Sequence, residues 1–146
     1  MADYGGVYEK GEITFSQILE SLRENPRLQE AGAIASFIGI VRGRTYEGKE
    51  VSKLEVEAYK EKANEVIARI CGNLLTRAGI VDARIYHFTG SFNVSDELVY
   101  VIIAGRSRKD VFPALTEAVE RYKKELPVWK KEILADGSSY WVSEKE

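Results

Sequence analysis

The strongest constraint on the fold is a pair of apolar, β-branched runs in the second half of the chain. The runs IVDARIYHF at 80–88 and ELVYVIIA at 97–104 are separated by a stretch that contains Gly90, Asn93 and Asp96. These three residue types are typical of turns. Two such runs joined by a short polar stretch predict a hairpin, so the fold is expected to be organised around an antiparallel sheet.

Two helices are predicted before this hairpin. Thr14 followed by Gln17 matches a capping box, and the apolar residues after it recur at helical spacing until Pro26 ends the pattern. The segment 61–78 carries a longer apolar stripe of helical period, and Gly79 is placed to end it as a C-terminal glycine.

A third helix follows the hairpin. Asp110 is predicted to cap it, Pro113 is tolerated in the first turn, and Pro127 ends it near Leu126. The remaining extended runs are predicted as strands at 32–41, 54–58, 128–134 and 138–142.

These elements alternate as one helix and two strands, repeated three times. This order predicts a single-domain α+β fold, with a mainly antiparallel sheet built of hairpins joined by three helices. The run GAIASFIGIV at 32–41 is apolar on both alternating faces, which predicts a central strand with 54–58 as its antiparallel neighbour. A length of 146 residues fits one domain, 1–146, in which 1–10 and 143–146 are expected to be flexible.

Composition excludes several classes of function. No apolar run approaches the roughly 20 residues that cross a bilayer, and the start MADYGGVYEK lacks the plan of a signal peptide, so a cytoplasmic protein is expected. One cysteine, Cys71, and one histidine, His87, are too few for the common metal sites, so no metal or cofactor is expected. Cys71 is interpreted as a buried hydrophobe, and His87 as a hydrogen-bonded structural residue, with a role as ligand or base left open.

Basic residues are concentrated in three segments of a chain whose net charge is -2. The segments are Arg42, Arg44 and Lys49; Arg106, Arg108 and Lys109; and Arg121, Lys123, Lys124, Lys130 and Lys131. If folding brings the three segments together, they form a local positive basin suited to a small anion.

The third segment is the strongest candidate for chemistry. Lys123 ends the third helix and Lys130 lies beyond Pro127, so the chain bends between them and can aim both ammonium groups into one cleft. A lysine that is desolvated or beside other cations can act as an acid, base or nucleophile. The alternative is structural, because the helix dipole favours lysine at a C-terminus and strand lysines commonly reach out to water.

Other positions carry weaker signals. Arg108 is predicted to lie just before the start of the third helix, where free amide groups would assist anion binding. Arg42 follows a buried strand beside Gly43, which permits close approach of a ligand, although solvated arginines are equally common in loops. Trp129 and Trp141 are predicted to serve the core, with a flat wall for a bound ring as the alternative.

These segments together resemble a known family. GAIASFIGIVRG, HFTGSFNVSDELVYV, SRKDVF, YKKELPVWKKE and a final YWV occur in the order and spacing of the large, catalytic subunits of molybdopterin synthase. The resemblance runs from about Gly32 to Trp141, and its most specific element is K-x-x-x-P-x-W-K.

The resemblance implies a sulfur transferase that converts cyclic pyranopterin monophosphate to molybdopterin. Sulfur would come from the C-terminal thiocarboxylate of a small ubiquitin-like carrier, so no cysteine of this chain would be needed. It implies Lys123 and Lys130 as catalytic residues, and Arg42 and Arg108 as ligands of anionic substrate groups. Ser107 stands where the family often has histidine, so a contact made there by imidazole would be absent or supplied by Arg106.

The resemblance also implies a homodimer with one carrier per protomer, a heterotetramer whose site borrows residues across the dimer interface. Two alternatives remain from the residues alone. A noncatalytic module that binds a nucleotide or single-stranded RNA would use the same basic and aromatic residues. A structural partner subunit would use neither lysine in chemistry.

Overall fold

The computed structural model describes residues 3–142, in which seven strands form one sheet and three α-helices pack against it. In chain order the elements are β1 (Gly5–Glu9), α1 (Phe15–Leu22), a 3₁₀ helix (Pro26–Glu30), β2 (Ala33–Ile40), β3 (Val51–Ala58), α2 (Lys60–Leu75), β4 (Ile80–Asn93), β5 (Glu97–Gly105), α3 (Arg108–Glu125), β6 (Val128–Leu134) and β7 (Ser139–Trp141). The strand order is β2-β5-β4-β3-β6-β7, with β1 pairing β4. The predicted α+β class and mainly antiparallel sheet are confirmed.

The β4–β5 hairpin forms the centre of the sheet, as predicted from its two apolar runs. Neighbouring side chains of a strand point to opposite faces of the sheet, so alternate residues of β4 contact different helices. Tyr86 lies on the face covered by α1, where Arg84 donates a hydrogen bond to Ser21. His87 lies on the other face, where its ring contacts Tyr122 of α3. The helices α2 and α3 therefore share one face and α1 covers the other.

Helix ends follow local chemistry, with one correction. The capping box of Thr14 and Gln17 is present in both directions. The predicted cap of α3 is wrong, because Ser107 occupies the N-cap position and Asp110 lies in the first turn. Arg108 is consequently the first helical residue rather than the residue before the helix.

The prediction that 1–10 is flexible is wrong for the part of it that forms β1. Gly5–Glu9 runs parallel to β4, with Val7 opposite His87. The sequence pattern did not predict this strand because it begins with two glycines. Gly5 is required there, since its φ is +90° and a Cβ would lie 2.1 Å from the carbonyl oxygen of Ile85. The remainder of that prediction, residues 1–2 and 143–146, lies outside the described residues.

The position predicted for 32–41 is also wrong. β2 is an edge strand that pairs β5, whereas β3 pairs β4 and β6 rather than β2. One face of β2 packs under α3, but the other leaves Ile34, Ile38 and Ile40 exposed by 48%, 38% and 53%. The apolar character of both faces is real, and residues 3–142 leave much of the second face exposed.

Candidate active site

A cleft of about 400 Å³ opens beside the C-terminal end of α3 and is bordered by β2, β6 and the loop after β2. It brings together three side chains predicted from the sequence, Arg42, Lys123 and Lys130. Aromatic side chains of Phe37 and Tyr46 form part of its wall. The cleft therefore combines positive charge with flat apolar surface.

Pro127 explains how two lysines seven positions apart reach one cleft. Leu126 leaves the helical conformation with a ψ of 131°, and β6 begins directly after the proline. Lys123 is thus carried by the last turn of α3, while Lys130 projects from β6 opposite Val56 of β3. Both lysines are half-buried, whereas their neighbour Lys124 is exposed.

The alternation of β6 separates its two lysines. Lys131 points away from the cleft, and its Nζ lies 5.9 Å from the centre of the Trp141 ring. The prediction that the tryptophans serve the core is wrong, since Trp129 and Trp141 are 51% and 59% exposed. Neither lines the cleft.

Arg42 is held by an aromatic neighbour at the mouth of the cleft. Its guanidinium carbon lies 4.1 Å from the centre of the Tyr46 ring, a cation–π contact that orients the guanidinium plane. Arg44 instead donates a hydrogen bond of 3.3 Å to the carbonyl oxygen of Gly48 within the loop. Of these two arginines, therefore, Arg42 lines the cleft and Arg44 does not.

Several cleft residues were not predicted from the sequence, among them Phe37, Tyr46, Glu132 and Tyr122. Glu132 lines the cleft and accepts a hydrogen bond from the hydroxyl of Tyr140 on β7. Glu132 could have been predicted from the sequence, because it lies two positions after Lys130 and therefore faces the same side of β6. Tyr122 also lines the cleft, although its position on the apolar stripe of α3 indicated a purely structural role.

His87 borders a small cavity together with both lysines. Its side chain is buried, its Nδ1 lies 3.2 Å from the carbonyl oxygen of Phe88, and its ring centre is 5.8 Å from that of Tyr122. Burial lowers its pKa to about 3, and the charge of Lys130 adds to this effect. The imidazole is therefore neutral at physiological pH.

The second basic segment lies elsewhere. Arg108 begins α3 and Lys123 lies in its last turn, fifteen residues and about 22 Å along the helix axis. Arg106 forms an ion pair with Asp110, with 3.4 Å between Nε and Oδ2. The hypothesis that all three basic segments form one basin is thus wrong within a single chain, because Arg106, Ser107 and Arg108 lie at the opposite end of α3.

Cys71 takes no part in the cleft. It is fully buried on α2, and its Sγ lies 3.7 Å from the carbonyl oxygen of Tyr4. Burial, assisted by the negative charge of Asp82, raises the pKa of its thiol to about 12. The thiol is therefore protonated at neutral pH, as expected of a small buried hydrophobe.

Within residues 3–142 no helix is long and apolar enough to cross a membrane. The fold and cleft define an α+β protein in which Arg42 and two half-buried lysines line one common cleft. The chain matches the family described as MoaE protein over residues 9–125 and belongs to that family.

Relatives agree with this assignment. The molybdopterin synthase catalytic subunit of Pyrococcus abyssi is 37% identical over 111 residues, which cover 76% of this chain and 74% of the relative. The protein of the same name from Bacillus subtilis is 35% identical over 138 residues, 94% of this chain and 87% of the relative.

Solved structures show the same fold. Molybdopterin synthase from Staphylococcus aureus superposes with a TM-score of 0.81 at 30% identity, covering 98% of this chain and 99% of that one. A complex of subunits 1 and 2 of the molybdopterin-converting factor from Helicobacter pylori contains a chain with a TM-score of 0.75 at 18% identity, covering 97% of this chain and 91% of that one. The second likeness shows the fold alone.

Proposed function

We propose that this chain is the catalytic subunit of a molybdopterin synthase. It transfers sulfur to cyclic pyranopterin monophosphate, giving molybdopterin, and takes the sulfur from the C-terminal thiocarboxylate of a small ubiquitin-like carrier. The observation that carries the proposal is the convergence of Arg42, Lys123 and Lys130 on one cleft, in a chain of this family. The whole chain acts as one catalytic domain, in the cytoplasm.

The cleft matches the chemistry of such a substrate. Arg42 offers a planar, multidentate donor set for a phosphate group, and its contact with Tyr46 orients those donors. The rings of Phe37 and Tyr46 provide a flat surface for a pterin. Because the sulfur arrives on the carrier, this chain has to bind and orient the substrate and to transfer protons.

The two lysines take different parts in the transfer. In this proposal Lys123 is the acid or base, or the group that meets the carrier carbonyl, because it borders the cleft at the end of α3. Lys130 stabilises the negative charge that develops during transfer, because it projects from β6 where that strand pairs β3, and it borders a cavity with His87.

A carrier of this kind reaches the lysines through its extended C-terminal tail. The cleft is open on one side and bordered by strand β2 and by β6, so an extended peptide can enter between them. Each catalytic chain would hold one carrier, and two such pairs would form a heterotetramer.

A homodimer would complete the anion site. Arg108, Ser107 and Arg106 lie about 22 Å along α3 from Lys123, too far to contact the same small substrate within one chain. In the proposed dimer a second copy packs against the exposed isoleucine face of β2, with its own α3 N-terminus near the cleft. In this arrangement Arg108 of that copy binds substrate, with Ser107 and Arg106 beside it.

The isoleucine face gives a direct test of the dimer. We expect Ile38→Asp to convert the dimer into a monomer, since a carboxylate replaces a 38% exposed isoleucine at the centre of the proposed interface. Size-exclusion chromatography with light scattering measures this change. Tyr59→Asp is the matched control, because Tyr59 is 59% exposed at the start of α2 and should leave the mass unchanged. Equal mass for wild type and Ile38→Asp would contradict this interface.

The function itself is tested by reconstitution. We expect the purified chain, thiocarboxylated carrier and cyclic precursor together to yield molybdopterin, measured as its fluorescent oxidation product. A carrier that ends in an ordinary carboxylate is the control and should give none. Absence of product with components that are active with another synthase would refute the proposal. Salt-sensitive RNA binding, weakened alike by every lysine and arginine replacement, would instead support the noncatalytic alternative.

A further inference from the structure

A small cavity adjoins the cleft and shares Tyr122, Lys123 and Lys130 with it. Its volume is about 10 Å³, near that of a single water site, and its apolar lining consists of Leu126 and Val128. Its polar lining consists of His87, Tyr122, Lys123 and Lys130. Both candidate catalytic lysines therefore border the same cavity as the buried imidazole.

The contacts of His87 determine which of its nitrogen atoms carries hydrogen. Nδ1 lies 3.2 Å from the carbonyl oxygen of Phe88, and a carbonyl oxygen only accepts hydrogen bonds. Nδ1 must then carry the proton, which leaves Nε2 of the neutral ring as an acceptor. The ring of Tyr122, inclined by 66° to the imidazole, fixes the plane in which that acceptor points.

The acceptor is an unusual partner for a lysine because it brings no charge. The titratable groups that face His87 are Tyr122 and Lys123 from α3 and Lys130 from β6, and among the described residues no carboxylate lines the cavity. A carboxylate in this place would neutralise part of the positive field on which anion binding depends. A neutral imidazole orients an ammonium group and leaves that field intact.

We propose that His87 is a positioning residue for Lys130: its Nε2 accepts a hydrogen bond from the Lys130 ammonium group across this cavity and sets the direction of that group at the wall of the cleft. His87 does not touch substrate. The expected effect on kinetics rests on the proposed function. The hydrogen bond itself can be detected without turnover.

The hydrogen bond is tested by nitrogen-15 NMR of protein labelled at histidine. His87 is the only histidine of the chain, so the spectrum contains one imidazole. We expect a protonated Nδ1 and an unprotonated Nε2 whose resonance lies upfield of a free acceptor. Lys130→Met should move Nε2 downfield, whereas Lys131→Met, which alters the opposite face of β6, should not. A proton on Nε2, or an unchanged Nε2 in Lys130→Met, would overturn the proposal.

The kinetic consequence is tested with two replacements of His87. Gln retains a neutral acceptor of similar reach, and Leu removes it while keeping bulk. We expect His87→Leu to lower kcat by about tenfold to a hundredfold with little change in KM, as misplacement of a reacting group does, and His87→Gln to recover most of the loss. If folded His87→Gln and His87→Leu variants lost the same amount of kcat, the hydrogen bond would have no kinetic role and His87 would only contribute packing. If the wild type itself gave no product, the proposed function would fail while the NMR result would still decide the hydrogen bond.

Discussion

Replacing either Lys123 or Lys130 by methionine is expected to lower the rate of molybdopterin formation by at least about a hundredfold, the usual scale for loss of a positioned proton-transfer group. Methionine keeps most of the aliphatic stem, so the half-buried walls of the cleft remain packed while the ammonium group is lost. Single-turnover assays with excess enzyme measure the chemical step apart from carrier release.

Neighbouring lysines provide matched controls for this result. Lys124 is exposed one position after Lys123, and Lys131 follows Lys130 but faces Trp141 rather than the cleft. Lys124→Met and Lys131→Met should retain nearly full activity. All four variants should show the same circular dichroism and thermal midpoint within a few degrees. Activity that survives in Lys123→Met and Lys130→Met together would remove both lysines from the mechanism.

Parts of this cleft follow from local sequence rules. Pro127 cannot continue α3, so the chain must turn between Lys123 and Lys130, and this turn allows both lysines to face one cleft. The period of two in β6 would have added Glu132 by the same logic. Cys71 and the Thr14 capping box are likewise matters of local pattern, and the structure agrees with both.

Other parts depend on the order of strands, which no local pattern contains. The apolar run Ala33–Ile40 is equally consistent with a strand covered on both faces by its own chain and with an edge strand covered by a second copy. The strand Gly5–Glu9 forms because Ile85–Thr89 of β4 offers a free edge, so its glycine-rich sequence needs no intrinsic strand preference. Tertiary pairing decides both cases.

The strand order explains why the basic segments lie apart, and their separation bears on function. Arg42 and the two lysines meet because β2 and β6 both border the end of α3, whereas Arg108 is held at the beginning of that helix. A site that needed all these cations would be incomplete in one chain. The proposed dimer would account both for the exposed isoleucines of β2 and for the distance of Arg108 from the cleft.

The sheet face opposite α3 holds a buried ion pair whose loss should destabilise the fold most strongly. Asp82 and Arg84 are each 4% exposed on β4. One carboxylate oxygen of Asp82 accepts from Nε of Arg84 at 2.9 Å and the other from Nη2 at 3.1 Å. Arg84 also donates to Ser21 of α1 at 2.7 Å, and Asn25 donates to Asp82 at 2.9 Å. The pair therefore ties α1 and the chain after it to the sheet.

Asp82→Ala is expected to lower the free energy of unfolding by about 3–5 kcal/mol, because it leaves the Arg84 guanidinium buried without its main partner. Urea unfolding at pH 7, followed by circular dichroism, measures the change. The matched control is Glu117→Ala, which breaks a similar two-pronged pair with Arg77, at 2.6 Å for both contacts, between side chains that are 34% and 42% exposed. Solvent screening limits that surface pair to about 1 kcal/mol or less.

A double replacement separates the charge from the packing. Asp82→Leu combined with Arg84→Met removes both charges and refills the space with apolar side chains, so most of the stability lost in Asp82→Ala should return. A double variant as unstable as Asp82→Ala would mean that the hydrogen bonds to Ser21 and Asn25, rather than the unpaired charge, hold α1 in place. Neither Asp82 nor Arg84 lines the lysine cleft, so reconstituted activity of the folded double variant should match the wild type. Loss of activity there would show that the position of α1 is coupled through β4 to His87, which lies three residues after Arg84 on the same strand.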